Sequence, residues 1–178
     1  MNMSGKRVII TGANSGIGRV TSLQLAKAGA EVVLVCRSVE RGERALDEIR
    51  RESGSAQVSL MLCDLASSSS IRTFGEQFRS QYDRLDVLVN NAGAYLAERH
   101  ETETGLEMTF ALNHMGYFLL VKELLECVRA APSGRIVNVS SMGHRMGRLN
   151  WADLHWTRRR YRPLRAYCDS KLMNILFT

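Results

Sequence analysis

Short apolar runs, too brief to be helices, recur along the chain, and each is followed by a stretch whose apolar residues return at helical spacing. Arg7 to Ile10 and Glu31 to Cys36 are two such β-branched runs, and between them Ile17, Val20, Leu23, Leu25 and Ala28 mark one helix. The unit repeats. A charged helix turns Ala45, Leu46 and Ile49 inward, Val58 to Leu62 is a third strand, Ser68 to Gln81 is a helix with Ile71, Phe74 and Phe78, and Leu85 to Val89 is a fourth strand. Leu106 to Val128 reads as one long helix or a helix pair, Arg135 to Val139 as a fifth strand and Ala166 to Phe177 as a last helix. Strands this short and this apolar are buried on both faces, so the order predicts an α/β fold, a doubly wound parallel sheet covered by helices on each side. The serine-rich Ala66 to Ser70 supplies caps for the helix that follows it.

At 178 residues the chain is one domain rather than two. No apolar run approaches the roughly 18 residues of a membrane-spanning helix, and Met1 to Thr11 lacks a secretory apolar region, so the chain reads as soluble and cytoplasmic. Cys36, Cys63, Cys127 and Cys168 form no C-x-x-C pair, which argues against a metal knuckle and a disulfide framework and for a reducing compartment. Asn138-Val139-Ser140 spells a glycosylation acceptor, but the apolar run around it predicts a strand that hides it. The apolar face of Leu172, Ile175, Leu176 and Phe177 runs to Thr178 without a closing Gly, Asn or Pro, and predicts a domain whose sheet is incomplete on its C-terminal side.

The net charge of +6 is local: between Gly143 and Arg165 seven arginines face one acid, Asp153, and the rest of the chain is balanced. Both tryptophans, Trp151 and Trp156, lie in the same stretch. An evenly basic surface would suggest nucleic acid; one basic loop does not, and no nucleic-acid partner is expected. Arginines beside tryptophans suit contact with an anionic membrane surface through residues 143–165, and they suit equally a solvated lid whose arginines pair with acids.

Thr11-Gly12-Ala13-Asn14-Ser15-Gly16-Ile17-Gly18 joins the first strand to the first helix. At that junction of a doubly wound sheet, backbone amides and a helix N-terminus face a pyrophosphate, and glycines let the chain approach it. The second strand ends in Cys36-Arg37-Ser38 where an NAD enzyme places an acid for the ribose 2′-hydroxyl. Arg37 instead suits a 2′-phosphate, with Ser38 as a further donor, so NADP(H) is expected over NAD(H).

Thr11 to Gly18, Asn90-Asn91-Ala92-Gly93, Asn113, the tandem Ser140-Ser141 and Tyr167-x-x-x-Lys171, in this order across the chain, resemble the short-chain dehydrogenase/reductases. Within them, Cys36-Arg37-Ser38, Asp64-Leu65 and the segment from Ala166 to Phe177 look most like the retinol-dehydrogenase group. The resemblance implies a Rossmann fold whose cofactor contacts are Gly12, Asn14, Ser15, Gly16, Ile17, Gly18, Arg37, Ser38, Asp64, Leu65, Asn91, Ala92, Gly93, Tyr167 and Lys171. It implies Asn113, Ser141, Tyr167 and Lys171 as the catalytic set, no metal, and a small apolar alcohol or carbonyl substrate, retinoid-like or steroid-like. It also implies strands beyond the Tyr–Lys helix and, in membrane-bound members, an N-terminal anchor, and residues 1–178 are expected to hold neither.

Read as residues alone, Tyr167 and Lys171 are four apart and share a helix face. A free phenol holds its proton to about pH 10, and an ammonium one turn away eases its release. Ser140 and Ser141 point to opposite faces of an extended strand end, and only the resemblance selects Ser141. Asp64 reads as an adenine-edge contact by resemblance or as a helix N-cap. His144 and His155 belong to the loop. The resemblance further implies a homodimer through Asn113 to Val128 and the last helix, with Gly116, Phe118, Leu119, Leu124 and Leu125 as its apolar material, although the same residues could cover the sheet. The two functions in view are an NADP(H)-dependent oxidoreductase and a catalytically weak NADP-binding or interaction protein.

Overall fold

The computed structural model describes residues 2–178. Five strands, β1 (Arg7–Thr11), β2 (Glu31–Cys36), β3 (Val58–Leu62), β4 (Val87–Asn90) and β5 (Arg135–Asn138), form one parallel sheet in the order β3-β2-β1-β4-β5. The order reverses between β1 and β4, where a crevice opens at the carboxyl ends of the strands. On one face lie α1 (Gly16–Lys27) and α2 (Val39–Ser53), on the other α3 (Ser68–Gln81) and a long rod made of α4 (Met108–Phe110), a π-helical turn (Ala111–Met115) and α5 (Gly116–Arg129). A 3₁₀ turn (Met142–Met146) and α6 (Pro163–Phe177) complete the chain.

The doubly wound sheet expected from the alternation is therefore present, with differences that have local causes. β4 starts at Val87, two residues later than the apolar run suggests: the Leu85 amide turns to Cys127 O at 2.9 Å, and Asp86, at 1% exposure, keeps backbone bonds to Arg7 O and the Arg135 amide while its carboxylate accepts the Arg7 amide and Lys6 Nζ, each at 3.0 Å. Burial works to raise that carboxyl, but the Arg7 amide, Lys6 and Arg84 outweigh it and hold it below the ordinary carboxylate range. In α1 the residues facing the sheet are Gly18, Ser22, Leu23 and Ala26, while Ile17 and Val20, expected inward, are exposed. Small side chains at i, i+4 and i+8 let this helix lie close to the strands. α6 begins three residues earlier than expected, with Pro163 in its first turn, where a missing N–H costs nothing. The Leu106 to Val128 region is one rod rather than a pair, since backbone angles stay right-handed helical through the π-helical turn.

The outer strand β5 corrects another expectation. Val137 is 46% exposed and Asn138 Nδ2 reaches Thr178 Oγ1 at 3.2 Å, so Asn138 is half-buried rather than hidden. Of the apolar residues considered for a dimer, Gly116 and Leu124 are buried and Phe118 alone is exposed. A Cβ on Gly116 would stand 2.6 Å from Leu65 O, so this position serves the contact between the rod and the end of β3. All four cysteines are buried and free.

Two apolar layers sandwich the sheet. Ile9, Val33, Phe74, Phe78, Leu88 and Leu120 form one, and Val8, Ile10, Leu23, Val32, Leu34 and Ile49 the other. Phe78 is fully buried between Phe74, at 6.3 Å between ring centroids, and Tyr82, at 4.8 Å. Phe78→Ala is expected to destabilise the protein by about 3–5 kcal/mol, read as a shift in the urea unfolding midpoint, because the cavity it leaves is walled by two aromatic rings and the sheet.

Candidate active site

Three backbone segments meet at the crevice. β1 ends at Thr11, and the chain turns through Gly12 and Gly16 at φ +65° and +51°, values that favour glycine. A Cβ on Gly18 would lie 2.3 Å from Gly12 O and 2.6 Å from Asn91 Nδ2, so turn, helix and the segment after β4 pack with no room between them. Gly16 is different: a Cβ there would meet nothing within 4 Å. Its missing side chain leaves space in the crevice. Ser15 makes no side-chain cap to α1, whereas the hydroxyls of Ser38 and Ser67 cap α2 and α3. The first amides of α1 thus remain available to an anion.

The crevice has a volume of about 410 Å³ and is lined by Gly12, Asn14, Ser15, Gly16, Ile17 and Gly18, by Arg37 and Ser38, by Asp64 and Leu65, and by Asn91, Ala92 and Gly93. Every expected cofactor contact ahead of α6 is therefore at one surface. Arg41, Leu112 and the buried Cys36 and Cys63 join them. Arg41 lay outside the sequence reading; its signal was its place in the first turn of α2, three residues beyond the cap Ser38. The Ser38 hydroxyl accepts the Arg41 amide at 3.3 Å, so its proton is what it can still offer a ligand. Arg37 Nη1 lies 3.9 Å from Asp64 Oδ2. Asp64 is not the cap of α3: Ser67 takes that place, accepting the Ser70 amide at 3.3 Å, while Asp64 Oδ1 accepts the Ala66 amide at 3.0 Å. Open amides and a vacant Cβ position at one end, with guanidinium groups at the other, fit a phosphate-bearing dinucleotide.

The floor is fixed by hydrogen bonds. Thr11 Oγ1 accepts the amides of Asn91 at 2.8 Å and Ala92 at 3.0 Å and donates to Val89 O at 3.3 Å. Asn90 Nδ2 donates to Asn138 Oδ1 at 2.9 Å, bracing β4 against β5. From below, the buried Tyr117 hydroxyl donates to Ala92 O at 2.7 Å, and desolvation pushes its phenol well above the usual value. Thr11 and Tyr117 carry no motif of their own in this role, and only the fold reveals it.

Beyond Gly93 lies the second cluster. Asn113, in the π-helical turn, is fully buried; its amide pairs with the Ala94 backbone in both directions and donates to Ser170 Oγ at 3.1 Å. Such turns gather at functional sites. Lys171 is 4% exposed, its Nζ donates to Val139 O at 3.2 Å, and burial lowers its pKa. That Nζ stands 5.7 Å from the centre of the Tyr167 ring. The two serines separate as an extended strand end requires: Ser140 Oγ donates to Lys171 O at 2.8 Å, while Ser141 Oγ accepts the Gly143 amide at 3.1 Å. A Cβ on Gly143 would be 3.5 Å from Ser141 Oγ and 3.7 Å from the Tyr167 ring, so both side chains lie beside Gly143. The exposed Tyr95 ring lies 6.1 Å from that of Tyr167.

The basic loop is built more firmly than its composition suggested. Trp156, at φ +56°, is 5% exposed and lies under the Arg159 guanidinium, 3.5 Å from the ring centre. Asp153 accepts the Thr157 amide and hydroxyl, at 2.8 and 3.0 Å, and pairs with Arg159 at 3.5 Å. His155 O accepts from Arg99 Nε at 2.8 Å, and Tyr161 bonds Thr109 Oγ1 at 3.0 Å and Glu107 at 3.2 Å. Trp156 is thus a buried anchor, and Trp151, 72% exposed, is the tryptophan left at the surface.

A family model described as short chain dehydrogenase matches residues 6–153. The chain is 44% identical over 174 residues to human retinol dehydrogenase 13, an alignment covering 98% of this chain and 53% of that protein, so the chain spans about half the length of the curated relatives it matches. A crystal structure of an uncharacterized protein from Mycobacterium Paratuberculosis superimposes with a TM-score of 0.88 at 40% identity, covering 99% of this chain and 61% of that one. A short chain dehydrogenase from Escherichia coli CFT073, complexed with NADPH, superimposes with a TM-score of 0.78 at 25% identity, covering 98% of this chain and 69% of that one.

Proposed function

The chain belongs to the short-chain dehydrogenase family, and from that premise we propose that it transfers a hydride between NADP(H) and an apolar alcohol or carbonyl compound of the retinoid or steroid class. The observation that carries this reading is the convergence of Tyr167, Lys171 and Ser141 at the end of a crevice whose other walls suit a dinucleotide. When bound, the nicotinamide supplies the hydride donor or acceptor. Tyr167 exchanges a proton with the substrate oxygen. The Lys171 ammonium, held by Val139 O in a desolvated pocket and 5.7 Å from the centre of the Tyr167 ring, would be the group that binds the nicotinamide ribose. Because the Ser141 oxygen is occupied by the Gly143 amide, its proton is free to bond the substrate oxygen. Asn113, locked by Ala94 and Ser170, holds the π-helical turn beside these groups.

Arg37 supports NADP(H). Its pair with Asp64 is loose and its side chain 69% exposed, the kind of ion pair worth about 0–1 kcal/mol, so a phosphate dianion displaces it readily. The relative solved with NADPH supports the same choice. Arg37→Asp is expected to weaken NADPH binding about tenfold or more while sparing NADH, in a fluorescence titration. Equal affinities for the two nucleotides in the unmodified chain would defeat the argument.

Tyr167→Phe keeps the ring and removes the exchanged proton, so turnover of a retinoid or steroid alcohol is expected to fall about 10²-fold or more with NADPH affinity unchanged. Should the unmodified chain bind NADPH and turn over no such alcohol or carbonyl, the nucleotide-binding reading replaces the enzyme.

The outward side of the loop gives an apolar substrate a route. Arg145, Arg148, Arg158, Arg160 and Arg162 are exposed, with Met142, Met146, Trp151 and Leu164 among them, and the loop's one acid is buried against Thr157 and Arg159. Such a face suits an anionic membrane surface, each basic residue contributing about 1 kcal/mol. Among the described residues no helix is long and apolar enough to cross a membrane. Co-sedimentation with anionic but not neutral vesicles, weakened by salt and by neutralising Arg158 and Arg160, is the expected result; salt-insensitive absence of binding leaves the loop as a lid.

A further inference from the structure

Ser141 owes its position to a short turn that lies flat on α6. The 3₁₀ turn Met142–Met146 follows it directly, and Gly143 and Gly147 are what let the turn approach: a Cβ on Gly147 would be 2.7 Å from Leu172 Cβ and 3.0 Å from Cys168 O, and one on Gly143 would be 3.3 Å from Cys168 Sγ. The turn is pinned at its near end by Ser140 Oγ, which donates to Lys171 O at 2.8 Å. Past its far end the chain leaves on the long basic excursion, on which Trp151 and Leu154 border Met173 and Leu176 of α6, and α6 itself begins at Pro163. At that point of departure, Asp169 Oδ1 accepts the Arg148 amide at 2.7 Å.

Asp169 is an unexpected residue for this place. It is 4% exposed, on the helix that carries Tyr167 and Lys171, and burial works against its charge, with the Arg148 amide and the Arg165 and Arg159 guanidiniums opposing that effect. A buried carboxylate is expensive unless it is used, and here its charge-assisted bond is spent on a single backbone amide at the root of the loop. Arg165, whose guanidinium donates to Met146 O, is the neighbouring tie, but its side chain is partly exposed and can exchange that bond for water.

We propose that Asp169 is a positioning residue: by holding the Arg148 amide it fixes the far end of the 3₁₀ turn on α6 and so keeps Ser141 in register with Tyr167. The proposal rests on the reaction assigned above for its catalytic consequence, but not for its structural one. Ser140 and Asp169 then act as two clamps on either side of the Ser141 turn, both attached to the helix that supplies the tyrosine, so that serine and tyrosine move as one body whatever the outer loop does.

The test compares Asp169→Ala and Asp169→Asn in the whole 178-residue chain. Asparagine keeps an oxygen for the Arg148 amide; alanine does not. Amide exchange followed by NMR is expected to quicken about tenfold in Asp169→Ala, both at Arg148 and at Gly143, which does not touch Asp169, and to return to within about threefold of the parent in Asp169→Asn. Turnover should fall about tenfold in the alanine variant with the substrate KM and NADPH affinity within about twofold, and recover in the asparagine variant. Unchanged Gly143 exchange in the alanine variant, or an asparagine variant as impaired as alanine, overturns the proposal. If Asp169→Ala does not fold, exchange in the unmodified chain decides: the Arg148 and Gly143 amides are expected to open together, and an Arg148 amide exchanging at the unprotected rate refutes the clamp. A parent that binds NADPH without turnover refutes the assigned reaction instead, while the exchange readout still judges the clamp.

Discussion

The Thr11 hydroxyl joins the two halves of the sheet at the one place where the strand order reverses. It accepts the amides of Asn91 and Ala92 and donates to Val89 O, all from the end of β4, while the Thr11 carbonyl accepts Asn91 Nδ2 at 2.8 Å. Both amides leave the β ladder there and would otherwise lack partners in a buried setting, a loss of about 1–3 kcal/mol each. Because the hydroxyl supplies them, the segment after β4 can turn away from the sheet and still press against Gly12 and Gly18. The crevice exists because the two strand ends are tied below it.

Tyr117 extends the same logic downward and Asn113 extends it sideways. One fills the space under Ala92 and donates to its carbonyl; the other binds Ala94 on one side and Ser170 of α6 on the other. The π-helical turn lets one rod do both, since Tyr117 lies in the core while Asn113 looks toward α6. The wall of the crevice and the helix that carries Tyr167 are thereby coupled through the buried side-chain amide of Asn113, whose hydrogen bonds to Ala94 and Ser170 hold it in place.

Buried carboxylates organise the basic loop in turn. Glu107 accepts the Thr109 and Phe110 amides at 2.8 and 2.7 Å, and through Tyr161 it ties the loop to the start of the rod. Asp153 folds the loop on itself, with hydrogen bonds from Thr157 and Arg158 and the charge of Arg159 overcoming desolvation to hold its carboxyl low. Asp169 anchors the loop's root to α6. The acids are spent inside, so the exposed charges of the loop are those of its arginines.

Much of this was legible in the sequence. The period of the apolar residues fixes five strands and their helices, because a parallel sheet buried on both faces tolerates no polar alternation, and Val8, Val33 and Leu88 are accordingly solvent-free. The glycine spacing, Asn90 to Gly93 and the Tyr–Lys pair locate the crevice and the cluster beside it, since close backbone approach and a shared helix face depend on local order alone. What only the tertiary structure decided are the roles set by partners distant in the chain. Thr11 reads as the first residue of the glycine-rich turn, Tyr117 carries no signal of its role, and Asp64 reads equally as a cap or a contact until Ser67 is seen to cap α3. Trp156 and Trp151 share a composition argument, yet one is stacked under Arg159 and the other stands in solvent. A residue's own chemistry sets what it can bond; which amide or ring lies within 3 to 4 Å of it depends on chain segments up to some 80 residues away, and local sequence cannot encode that choice.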